Sequence, residues 1–256
     1  ENNIETKMWA RRKELANDIL EHGENRFYLP GVKISKKILV LDDIERAVKD
    51  SEVVILAVPS QAIRPTANKI KRFLKDDAIV VSAAKGVERE SFLRMSQVLE
   101  EELPKKLTKN IAVLSGPSHA EETVKGLPTA IVAAATEERT AEKVRKAVMN
   151  GFFRVYTNTD IVGVELGGTL KNIIALCAGI SDGLELGDNT RAALMTRGIV
   201  EITRLGVELG ASPSTFFGLS GIGDLIATCS SMHSRNRRAG IEIGRGRTVE
   251  QVISSR

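Results

Sequence analysis

Hydrophobic and polar positions fall into two regimes along the chain, changing near residue 158. Between residues 51 and 157, short apolar runs rich in β-branched residues recur: EVVILAV (52–58), DAIVVSAA (77–84), NIAVLSG (110–116), TAIVAAA (129–135) and FRVYT (153–157). Runs of this length without polar alternation suit strands covered on both faces. Between them, residues 61–75, 91–103, 118–125 and 138–149 mix charged and apolar residues at helical spacing, with Pro59, Pro104, Pro117 and Pro128 at the joins. Strand and helix in alternation predict a doubly wound α/β fold with a parallel sheet. Beyond Asp160 the short runs stop. Residues 160–186, 190–209, 213–217, 221–230 and 234–244 read as helices, with Asp160 as an N-cap and Gly187, Gly210 and Gly218 near helix ends. The expected organisation is an α/β unit over residues 1–157 followed by an all-helical unit over residues 158–256.

Composition narrows the class. At 256 residues, 42% hydrophobic and 27% charged, the chain is long enough for a substantial core and too ordinary for a disordered or fibrous protein. Thirty-seven Lys and Arg against 33 Asp and Glu leave a net +4, too little to argue for nucleic acid or an anionic membrane, so any phosphate-binding site must come from a local cluster. Cys177 and Cys229 show neither CxxC nor Cys/His spacing, which favours a reducing compartment and gives no basis for a metal site. Charges at Glu1, Glu5, Lys7, Arg11, Arg12, Lys13, Glu14 and Asp18 leave no apolar core for a signal peptide, so a cytoplasmic location is expected. The weakly polar stretch 161–181 contains Glu165, Lys171, Asn172 and several glycines, and reads as a buried helix and not a membrane span.

Ligands of open α/β sheets bind at the carboxyl ends of the strands. Here those ends read Ala57-Val58-Pro59-Ser60, Ala83-Ala84-Lys85-Gly86 and Ser115-Gly116-Pro117-Ser118. Small residues admit a ligand to the backbone, and the N–H groups of following helices favour an anion. Met8 to Arg12 reads as a strand running into a loop. An acid at such a point would bind a ribose hydroxyl, whereas Arg11 and Arg12 would accommodate a 2′-phosphate; two surface arginines are the plainer alternative.

Two further features carry chemistry. Lys171 lies in GVELGGTLKNIIALCAGI, where the other charge, Glu165, is six positions away and so roughly 240° around a helix. Such a lysine either snorkels to water or is held in a cleft where desolvation tunes it for proton transfer. The segment Ser234-Arg235-Asn236-Arg237-Arg238, continuing to Arg245 and Arg247, offers backbone donors, a hydroxyl, an amide and guanidinium forks for a phosphate. A solvated basic helix and a nucleic-acid patch are the alternatives, although the region has almost no aromatic residue for base stacking.

Taken together, WARRKEL, NRFYLPGV, AVPS, SAAKGVE, VLSGPSHAEE, GLPTAIV, FRVYT, VGVELGGTLKNIIALCAGISDGLELGDNTRAALMTRG and FFGLSGIGDLIATCSSMHSRNRR closely resemble the bacterial NAD(P)-dependent glycerol-3-phosphate dehydrogenase family over nearly the whole chain. The resemblance implies a Rossmann-like domain and a helical substrate domain. It also implies hydride transfer between sn-glycerol 3-phosphate and dihydroxyacetone phosphate with NADP or NAD, and Lys171 as the proton acceptor and donor. Lys85, Gly116, Ser118, Asp224, Ser234, Arg235 and Asn236 fall on the family's substrate positions, the last three at the phosphate. Arg11, Arg12, Tyr28, Lys85, Ala120 and Arg235 fall on its cofactor positions. The family further implies a homodimer serving glycerophospholipid synthesis. No G-x-G-x-x-G precedes Trp9, where the family has a strand and a pyrophosphate loop, and the chain stops at Arg256 before the family's last helices. A piece of a longer protein is expected. Related lysine-dependent dehydrogenases acting on another small hydroxy compound, and a non-enzymatic module binding a dinucleotide or RNA, are the alternative readings.

Overall fold

A computed structural model describes residues 4–255; the outermost residues of the two expected units, 1–3 and 256, lie outside the described residues. Along the α/β part run β1 (Thr6–Trp9), α1 (Lys13–His22), β2 (Glu24–Asn25), β3 (Leu29–Lys33), β4 (Ile38–Leu41), α2 (Ile44–Val48), β5 (Val53–Leu56), α3 (Ile63–Ile70), β6 (Ile79–Ser82), α4 (Met95–Glu102), β7 (Ile111–Ser115), α5 (Ala120–Thr123), β8 (Thr129–Ala135), α6 (Glu138–Val148) and β9 (Phe153–Asn158). The helical part follows with α7 (Ile161–Gly183), α8 (Gly187–Glu208), α9 (Asp224–Ser230), α10 (Arg235–Gly244) and α11 (Val249–Ser254).

Strands β5, β6, β7, β8 and β9 lie side by side in that order. Each face is covered. Val80 and Val81 are adjacent in β6 and both fully buried, yet Val80 joins the core with Ile63, Ile70 and Leu99 of α3 and α4, and Val81 the core with Ala141 and Val144 of α6. That is why the runs show no alternation. The pairs β5–β6, β6–β7 and β8–β9 are parallel. Strand β8 runs antiparallel to β7, with Ala112 opposite Ala135 and Ser115 opposite Val132, the one exception in a sheet that is otherwise parallel as the sequence predicts. The connection, residues 116–128, carries only the four-residue α5 and no helix long enough to form a crossover layer against the sheet, and the chain comes back as β8.

Strands β1 and β4 form a separate parallel pair with Trp9 opposite Leu41, beside the β2–β3 hairpin. Beyond this sheet, Asp160 caps α7 by accepting the Gly163 N–H at 2.9 Å, and the same carboxylate accepts from Ser212 N at 2.9 Å and Thr215 Oγ1 at 2.6 Å. By length and composition α7 could cross a membrane, with a mean hydropathy of 1.5 over its most apolar window. In the fold it is the axis of the helical part, packed by α8, α9 and α10. Its approach to α10 is backbone on backbone: a Cβ on Gly179 would overlap the Arg237 carbonyl oxygen, and one on Gly240 the Leu176 carbonyl oxygen.

Candidate active site

The end of β6 delivers Lys85 and the end of β7 delivers Gly116, both facing α7 and α9 of the helical part. Asp224, 2% exposed at the start of α9, sits between two lysines. Lys85 Nζ donates to Asp224 Oδ2 at 2.7 Å and to the Gly116 carbonyl at 3.1 Å. Lys171 Nζ donates to Asp224 Oδ1 and, at 2.5 Å, to Thr228 Oγ1. Thr228, one turn after Asp224 on the same face of α9, in turn donates to the Asp224 carbonyl at 2.6 Å. The lysine does not snorkel: only 4% of it is exposed. Burial pushes its ammonium down from the ordinary 10.5 to about 8, the Lys85 charge adds to that shift, and Asp224 opposes it.

Gly116 requires its residue type. Its φ is +139°, and a Cβ there would stand 2.9 Å from Ile131 Cα. Ser118 and Ala120 follow on the surface, with Ser118 Oγ donating to the Gly116 carbonyl at 3.3 Å. His119 between them meets the His233 ring, centroids 5.9 Å apart, which joins this loop to the one entering α10.

At the start of α10, Ser234 is the N-cap and accepts the Arg237 N–H at 3.2 Å. Asn236 Nδ2 donates to Asn172 Oδ1 at 2.9 Å, tying α10 to the residue after Lys171. Arg235 is exposed. Arg237 turns inward instead, gripping the Asp182 carboxylate at 2.8 and 2.7 Å beside Arg191 at 3.0 Å. Of the basic run, Arg237 thus anchors the helix on Asp182, while Ser234, Arg235 and Asn236 occupy its first turn.

Arg11, Arg12 and Tyr28 form a separate group at the end of β1, all exposed. Arg12 Nη2 donates to Tyr28 Oη at 3.1 Å, and its guanidinium lies 5.8 Å from the Tyr28 ring centroid and 5.7 Å from that of Phe27. Sequence reasoning missed Thr228, Asn172 and Thr169, whose Oγ1 accepts the Gly86 N–H at 3.0 Å. The Asp224–Thr228 spacing of four was the available signal for the first.

A doubly wound sheet whose strand ends face a lysine and carboxylate cluster on a helical second part defines a dinucleotide-dependent dehydrogenase of the two-part kind. Residues 1–141 match the model of the NAD-dependent glycerol-3-phosphate dehydrogenase N-terminus, and residues 160–256 that of its C-terminus. The chain is 57% identical to glycerol-3-phosphate dehydrogenase (NAD(P)+) of Moorella thermoacetica over 248 residues, 97% of this chain and 73% of that protein. It is 51% identical to the Bacillus subtilis protein of the same name over 253 residues, 99% of this chain and 73% of the relative. The crystal structure of glycerol-3-phosphate dehydrogenase from Coxiella burnetii superposes with a TM-score of 0.90 at 34% identity, covering 97% of this chain and 75% of that one. The chain belongs to the NAD-dependent glycerol-3-phosphate dehydrogenase family.

Proposed function

We propose that this enzyme interconverts sn-glycerol 3-phosphate and dihydroxyacetone phosphate, with Lys171 exchanging the proton at the C2 oxygen. The single observation carrying the reading is the Lys171–Asp224–Lys85 cluster at the strand ends, with Lys171 and Asp224 buried and Lys85 half-buried. A nicotinamide coenzyme, NADP or NAD, fits the residues around it. Ala57 and Pro59 are small, exposed residues at the end of β5, Gly86 and Gly116 place backbone without side chains beside it, and the exposed Arg12, held by Tyr28, would be available to an anionic ribose phosphate. When bound, that coenzyme supplies or accepts the hydride.

In the reducing direction the Lys171 ammonium gives a proton to the C2 oxygen and becomes the amine; in oxidation the amine takes the hydroxyl proton. Asp224 holds Lys171 and Lys85 at fixed positions, and Thr228 orients the Lys171 ammonium from its other side. We assign Lys85, Gly116 and Ser118 to the substrate body and Ser234, Arg235 and Asn236 to its phosphate. Arg11, Arg12, Tyr28 and Ala120, with Lys85 and Arg235 again, are assigned to the coenzyme. Residues 1–157 would then be the dinucleotide-binding domain and 158–256 the substrate domain. The family resemblance further supports a cytoplasmic homodimer whose product enters glycerophospholipid synthesis.

The test is coenzyme oxidation with dihydroxyacetone phosphate and with unphosphorylated dihydroxyacetone. The parent enzyme should strongly prefer the phosphorylated ketone. Hydrogen bonds to a charged group contribute about 1.5–3 kcal/mol, so Arg235→Ala should lose roughly ten- to a hundredfold in kcat/KM for that ketone and much less for the other. Equal loss toward both at saturating coenzyme would remove the phosphate assignment.

A further inference from the structure

Helix α7 meets the α/β part through residues spaced three and four apart, which share one face. Thr169 Oγ1 accepts the Gly86 N–H at 3.0 Å, and Gly168 packs so tightly that a Cβ there would stand 2.5 Å from Ser115 Oγ. The first of the row is Glu165. Its Oε1 accepts the backbone N–H of Ser96 at 2.8 Å, and its Oε2 accepts from Ser96 Oγ and from Arg94 Nη1, both at 2.6 Å. Arg94 also reaches Ser96 Oγ at 2.7 Å. Arg94 and Ser96 are the N-cap and second residue of α4, so a carboxylate from α7 caps a helix of the other part.

This contact is poorly explained by stability alone. The Glu165 side chain is 8% exposed and that of Arg94 17%, and burial pushes the Glu165 carboxyl up despite Ser96 and Arg94 pulling it down. Taking such a pair out of water offsets much of its attraction, and well-packed apolar residues often serve stability as well or better. What the pair supplies that apolar residues do not is direction. It fixes the rotation of α7 about its own axis, and roughly 240° around that axis lies Lys171, aimed at α9.

We propose that Glu165 is a positioning residue for Lys171, setting the azimuth of the lysine relative to the α/β part by capping α4 from α7. This rests on the acid/base reading of Lys171. A misplacement on the order of 1 Å can cost about a hundredfold in rate, so Glu165→Ala should lower kcat for dihydroxyacetone phosphate reduction roughly ten- to a hundredfold at saturating substrates. Its KM for the ketone and its coenzyme affinity should hold. Glu165→Gln, whose amide oxygen can still accept the Ser96 N–H, should regain most of the rate. The apolar pair R94M/E165M should regain the thermal midpoint and keep the low kcat, and this arm decides the matter should Glu165→Ala not fold. A parent-like kcat in Glu165→Ala, or recovery of kcat together with the midpoint in the apolar pair, would overturn the proposal. Lys171→Ala measured alongside separates the two ideas. Full activity there removes the acid/base reading, whereas low activity there beside a parent-like Glu165→Ala removes only the positioning role.

Discussion

Lys85 and Lys171 approach one carboxylate from different parts of the fold, Lys85 donating to Asp224 Oδ2 at 2.7 Å and Lys171 to Oδ1. The contact closes the α/β part onto the helical part at the strand ends, and it places the half-buried Lys85 beside the buried Lys171 on one carboxylate. With Asp224 brought near Lys171 as the family resemblance implies, burial and that carboxylate pull the Lys171 pKa in opposite directions. The fold decides it, because Lys85 adds a like charge to the desolvation, and the two together outweigh Asp224.

The sign of that shift gives opposite pH profiles for the two directions. With Lys171 in the proposed acid/base role, ketone reduction uses its ammonium, so kcat should fall as pH rises through about 8. Alcohol oxidation needs the amine and should rise through the same region. Lys85→Gln removes the neighbouring charge and should move both limbs to higher pH. Profiles recorded from pH 6 to 10 that run in the same direction for both reactions would contradict this assignment.

The close approach of α7 and α10 should be intolerant of a methyl group. Gly179→Ala would drive Cβ into the Arg237 carbonyl oxygen, and overpacking of this kind costs about 1–3 kcal/mol. Because Ser234, Arg235 and Asn236 sit at the start of α10, displacing that helix should raise KM for dihydroxyacetone phosphate and, through Arg235, weaken the coenzyme to a smaller extent. Denaturant unfolding and steady-state kinetics on one preparation check both. Parent-like values in each would show that the two helices separate without consequence.

Coenzyme choice should depend on the end of β1. With Arg11 and Arg12 exposed there and Arg12 held by Tyr28 at 3.1 Å, the enzyme should use NADPH at least as well as NADH. Replacing both arginines by Ala should weaken NADPH selectively. An equal change in KM for the two coenzymes would mean that neither reads the 2′-phosphate.

How much of this was legible depended on how local the cause was. The doubly covered strands β5 to β9 are legible because Val80 and Val81 both need apolar surroundings, whichever face each takes. Of the β1–β4 pair and the β2–β3 hairpin only the end of β1 is legible, as Met8 running into Arg11 and Arg12; β2 has two residues, and Pro30 and Gly31 interrupt β3, so no period emerges there. The reversal at β8 goes with a connection that carries only the short α5, and not with the composition of either strand. Lys171 is visible as an isolated charge in an apolar stretch and Asp224 comes from the family resemblance, but their meeting across 53 positions belongs to the packing of α7 on α9. Arg237 shows the limit most clearly. It is chemically indistinguishable from Arg235 in the sequence, and the Asp182 that turns it inward lies 55 residues away.

The most direct test of the account is Lys171→Ala in the folded enzyme, assayed in both directions. A positioned acid or base supplies about 10² to 10⁴ in rate, so kcat should fall by roughly that factor. NAD(P)H binding, followed by fluorescence titration, should stay close to the parent, because the lysine is assigned to the reacting oxygen and not to the dinucleotide. Turnover of dihydroxyacetone phosphate within a few-fold of the parent would contradict the assignment and pass the proton to Lys85, the other ammonium on Asp224.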